Sequence, residues 1–84
     1  MKELKVKEWV IDKAQQTATF YNCHIDYKRN ENGFCLVTDG YMTVYVEEII
    51  AETEKAIHVR LATGAVIGSV KGWKVWIPKS QIAA

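Results

Sequence analysis

The chain has a single proline, Pro78, two cysteines and no run of some 20 apolar residues. Each scarcity excludes something. Without a Pro/Gly/Ser-rich stretch there is no linker to divide the chain, and 84 residues leave room for one domain, expected to span residues 1–84. Lacking a long apolar run, and with a start MKELKVKEWV unlike a signal peptide, the sequence predicts no membrane span and a cytoplasmic location. Cys23 and Cys35 are then expected as thiols in a reducing compartment. Together with His24 and His58 they lack the close-pair spacing of a structural zinc site, so no metal is expected.

Motifs of catalysis are also missing. There is no G-x-S-x-G, Walker loop, H-E-x-x-H or dinucleotide fingerprint. Glu47 and Glu48 are adjacent, and on a regular strand they face opposite sides, so they do not read as paired catalytic carboxylates. The expectation is a binding protein that is not an enzyme and carries no cofactor.

Present instead is a series of β-type runs separated by turn residues. Leu4 to Ile11 reads as a first strand, and Gln16 to Asn22 as the second arm of a hairpin, with a helix over Asp12 to Ala18 as the alternative. Ile25 to Tyr27 reads as a short strand, followed by a polar loop ending in Asn32-Gly33. Phe34 to Thr38 leads into a second turn signal, Asp39-Gly40. Tyr41 to Ala51 is strongly β-prone but breaks phase at Glu47 to Ile50, which predicts a bulge. Ala56 to Ala62 has a clean period of two, Thr63 to Ser69 reads as a loop or short bent strand, and Val70 to Pro78 ends the sheet at a residue that cannot donate to a ladder. Lys79 to Ala84 reads as one turn that tucks Ile82 onto the core. Five to seven short antiparallel strands predict an all-β fold, a small SH3-like or OB-like barrel.

Charge is unevenly placed despite a net of +1. Glu47, Glu48, Glu52 and Glu54 put four acids into eight residues, whereas after Lys55 come Arg60, Lys71, Lys74 and Lys79 and no acid. If the last two strands pair, Ile57, Val59, Leu61, Trp73, Val75 and Ile77 turn inward. His58, Arg60, Lys74 and Trp76 then share the outer face, extended by Tyr45 and with Lys71 at its margin. Aromatic rings among cations stack bases at about 1–3 kcal/mol each while the cations neutralise phosphates, so this face is a candidate for single-stranded nucleic acid. The same residue types are enriched at protein interfaces, which makes a protein partner or a homodimer the alternative, the acidic stretch of one copy meeting the basic third of another.

The segment E-T-E-K-A-I-H-V-R-L from Glu52, a Gly-rich interruption, and W-K-V-W-I-P-K-S-Q-I ending at Ile82 form a pattern. It is similar to one in small uncharacterised proteins of phage and prophage regions, often beside replication or recombination genes. The match covers about 31 of the 84 residues. The resemblance implies a mobile-element origin and a compact β fold. It also brings in a second protein-binding version, an inhibitor of a host protein with Tyr27, Lys28, Arg29, Glu31 and Asn32 as contacts on an exposed hairpin tip.

Overall fold

The computed structural model describes residues 2–64 and 72–83. It is mostly antiparallel β-sheet with one helix. The order is β1 (Lys2–Lys7), α1 (Glu8–Thr19), β2 (Val37–Thr38), β3 (Tyr41–Glu52), β4 (Ala56–Leu61), β5 (Trp73–Pro78) and a 3-10 turn (Lys79–Gln81). The sheet runs β1-β3-β4-β5, with β2 also on β3, and the named strands do not close into a barrel. A single bridge, Val6 to Ile82, ties β1 to the segment after β5. No helix among the described residues is long and apolar enough to cross a membrane.

The main correction to the sequence reading is α1. The favoured hairpin over residues 4–22 is instead a strand that stops at Lys7 followed by twelve helical residues, which contain the alternative helix over Asp12 to Ala18 and begin four residues before it. Val10, Ala14 and Ala18 lie four apart and Ile11 beside them; all four are buried, so the apolar stripe follows the helical period. The first helical N–H, from Glu8, donates to the carbonyl of Gly40 at 2.8 Å. At the other end Asn22 takes the left-handed conformation, φ 55°, and Cys23 N–H returns to the Ala18 carbonyl at 3.0 Å. The stripe packs on a core that includes Val6, Met42, Val44, Val59, Leu61 and Ile77. Covering one sheet face with a helix buries the apolar surface that barrel closure would otherwise have had to cover.

Other expectations hold with adjusted bounds. Asp39 and Gly40 both have positive φ, 54° and 81°, the signature of the tight turn that joins β2 to β3. The strand expected over Phe34 to Thr38 is reduced to Val37–Thr38, and Ile25 and Tyr27 form only isolated bridges, to Thr63 and Val44. Register shifts between Val46 and Glu48 and between Ile49 and Ala51 lie where the phase break predicted a bulge. β4 and β5 pair antiparallel, as expected, with Ile57 opposite Ile77, His58 opposite Trp76, Val59 opposite Val75, Arg60 opposite Lys74 and Leu61 opposite Trp73, so the residues of these two strands expected on a common face do share one. The expectations for residues 65–71, Lys71 included, fall outside the described residues.

Candidate functional site: a tryptophan groove along an open strand edge

β5 ends the sheet path, and among the described residues no strand pairs with its outer edge. Alongside that edge lies α1, and between them is a groove of about 500 Å³, within the size range of ligand sites. The helix contributes Trp9, Val10, Lys13, Ala14 and Thr17, one face at helical spacing. From the sheet come the consecutive residues Trp73, Lys74, Val75 and Trp76, with His58 and Pro78 at the margin. Successive strand side chains point to opposite faces, so four consecutive lining residues mean that the groove follows the backbone edge itself.

Aromatic contacts bracket the groove at both ends. Trp9 Nε1 donates to Gln81 Oε1 at 3.2 Å, linking the helix start to the 3-10 turn. Tyr21, just past the helix, packs on Trp73 with ring centroids 5.7 Å apart. Trp76 stacks flat on His58 across the strand pair, centroids 4.6 Å apart and planes 11° off parallel, yet remains 49% exposed. Trp9 is 55% exposed. All three tryptophans of the chain therefore line one groove, two of them half open to solvent. The lining holds the cations Lys13 and Lys74 and no carboxylate.

The face expected from sequence is brought together in part. His58 and Trp76 are stacked, and Arg60 is directly opposite Lys74. Tyr45 is not among them: it pairs with Glu3 of β1, and its carbonyl accepts from Ala62 N–H at the far end of β4. Arg60 is held by two acids, Nε 3.4 Å from Glu47 Oε1 and Nη2 3.2 Å from Glu48 Oε2. Both glutamates reach one guanidinium because the register shift falls between Val46 and Glu48; a regular strand would have sent them to opposite faces. Lys79 is likewise bound to Glu52 at 2.6 Å, and this hydrogen bond, with the lysine charge, holds the Glu52 carboxyl below its ordinary value.

The alternative loop is largely occupied with its own fold. Arg29 lies over the Tyr27 ring at 4.5 Å and donates to the Gly33 carbonyl at 3.1 Å, and Lys28 pairs with Glu3 at 3.5 Å. Glu31 and Asn32 are exposed, with Asn32 N–H bound to Asn30 Oδ1 at 2.9 Å. Cys35, a free thiol on the same loop, has its pKa raised by burial and next by the carboxylates of Glu8 and Asp12, against the opposing charge of Arg29. Among the described residues no group of three or more His, Cys, Asp or Glu side chains is placed to hold a metal ion.

Sequence reasoning missed the helix side of the groove, because Trp9, Lys13 and Thr17 share a face only once residues 8–19 are helical. The signal was available as the four-residue spacing of Val10, Ala14 and Ala18. No protein-family model matches the chain, and neither a curated protein nor a solved structure matches it.

Proposed function

We propose that the protein is a non-catalytic binding module that takes an extended polypeptide segment along β5, in the groove under α1. The observation that carries this reading is the continuous lining Trp73 to Trp76 along an edge that no strand among the described residues occupies. An incoming strand there gains main-chain hydrogen bonds from the edge and side-chain pockets from the indoles, the mode of β-strand addition. Lys13 and Lys74, without a carboxylate in the lining, favour a segment bearing acids. The resemblance to phage and prophage proteins, taken as origin, makes a host or phage protein one source of such a segment.

Nucleic acid is the less favoured ligand. Its phosphates would have to compete with Glu47 and Glu48 for Arg60, and its bases with His58 for one face of Trp76. The finer fold reading, a small barrel, rests on the Val6 to Ile82 bridge, which brings the chain end back to β1.

The test is a tryptophan-fluorescence titration with three ligands: a capped hexapeptide alternating glutamate and valine, its lysine and valine counterpart, and oligo-dT. Saturable quenching by the acidic peptide is expected, weakened at least about tenfold by Trp76→Ala, equivalent to about 1.4 kcal/mol. Saturation by oligo-dT with no response to either peptide would replace this reading with the nucleic-acid one.

A further inference from the structure

The same end of the sheet presents a second open edge. β1 accompanies β3 only as far as the pair Lys2 to Val46, and β3 then continues as Glu47–Glu52, held among the described residues by β4 on one side alone. Ile49 is 48% exposed and Ile50 37%, large aliphatic side chains on a strand with one unsatisfied edge. Natural sheets usually blunt such an edge with charges and bulges or cover it, and here Glu47, Glu48, Glu52 and the two register shifts blunt it, leaving Ile49 and Ile50 as its exposed apolar part. The projecting piece is six residues long, and so is β5. It has the chemistry that the groove selects: extended backbone, exposed aliphatics and carboxylates.

Charges left over on the two surfaces are also complementary. Glu47 and Glu48 are committed to Arg60 and Glu52 to Lys79, but Glu54 at the hairpin tip has no ion pair among the described residues. In the groove, Lys13 and Lys74 have none either. Each molecule therefore offers one edge of mixed aliphatic and acidic residues with a spare carboxylate at the adjoining hairpin tip, and one aromatic groove with spare ammonium groups.

We infer that the groove's occupant is a second copy of this chain, its Glu47–Glu52 edge added to β5 in head-to-tail fashion. The inference rests on the strand-binding reading of the groove. Donor and acceptor are different surfaces, so the contact is heterologous: a pair retains one free donor and one free acceptor, and assembly proceeds to a ring or a growing chain.

The experiment is sedimentation of the full chain over a wide concentration range, with two double variants. Lys74→Glu/Trp76→Glu disables the acceptor, and Ile49→Lys/Ile50→Lys disables the donor; all four positions are exposed, and far-UV circular dichroism checks that each variant folds. Wild-type protein is expected to grow beyond a dimer as concentration rises, and each variant alone to stay monomeric. Mixed one to one, they should form a heterodimer and nothing larger, because the mixture holds one working donor and one working acceptor. A wild-type monomer at every concentration that still binds the acidic hexapeptide overturns self-association and leaves the groove reading standing. Failure of both the peptide and self-association removes the groove reading itself. A symmetric dimer that both variants abolish and that mixing does not restore contradicts the head-to-tail geometry.

Discussion

β3 is one strand with two unlike halves. From Tyr41 to Val46 it is flanked by β1 on one edge and by β2 and the Tyr27 bridge on the other, and Met42, Thr43, Val44 and Val46 are buried. From Glu47 to Glu52 it is paired, among the described residues, with β4 alone, and every residue is exposed. The register shift after Val46 separates the two. Chemistry follows the division: the first half supplies the core, while the second shares its end of the sheet with the open edge of β5. Burial and exposure are thus built on a single strand, and which residues are covered is decided by how many neighbours flank the backbone.

Truncating an aliphatic residue in each half should separate the two most widely. Val44→Ala, at a fully buried position, is expected to cost about 1.5–3 kcal/mol by urea denaturation. Ile49→Ala, at a half-exposed position, should fall within about 0.5 kcal/mol of wild type. Equal losses would mean that the second half is buried in solution by contacts that the isolated chain does not make.

Gly72 comes next. It has φ 78°, and a Cβ there would lie 2.6 Å from Cγ and Cδ of Arg60 and 2.8 Å from Glu47 Oε1. Gly72→Ala should therefore cost about 1–3 kcal/mol, because left-handed strain adds to displacement of the Arg60 ion pairs. Gly72→Ala combined with Arg60→Ala should lose less than the two separate changes summed, since the second removes the clash.

Smaller effects report on the edges. Cys35 should react with iodoacetamide more slowly than an unstructured thiol at pH 8, because its raised pKa leaves less thiolate. Glu8→Gln/Asp12→Asn should quicken that reaction. The smallest effect belongs to the Glu52 to Lys79 pair. Glu52 is an acid whose pKa is lowered on folding, so its contribution is present above the ordinary carboxylate value, about 4.3, and is lost as pH falls through the lowered one. Lys79→Met should return the Glu52 carboxyl, followed by NMR titration, toward that ordinary value.

How much was legible in the sequence follows the same division. The facing of β4 and β5 could be read from Ile57, Val59 and Leu61 and from Trp73, Val75 and Ile77, since strict alternation turns both sets to one side; the residue-by-residue pairing could not, because a slip of two residues keeps the same faces. Pro78 ended its strand and Asp39-Gly40 made its turn for local backbone reasons that need no tertiary contact. The helix was obscured because Thr17, Thr19, Phe20 and Tyr21 favour strands, whereas the stripe that decides the matter includes two alanines, Ala14 and Ala18, with little hydrophobic weight. With the helix weighed only as an alternative, and only from Asp12, the groove side that includes Trp9 was not read. The Arg60 ion pairs were illegible for a different reason: they depend on a bulge whose position could be guessed but whose effect on two adjacent side chains could not.

We propose that the outer edge of β5, unpaired among the described residues, receives a strand. Amide hydrogen exchange along Trp73–Ile77, followed by NMR at low protein concentration, tests it most directly. In the free protein, alternate amides of β5 should exchange fast, those facing away from β4, and saturating acidic hexapeptide should slow that fast set alone. Uniform protection of every β5 amide before ligand is added, or a fast set that the peptide leaves unchanged, would contradict it.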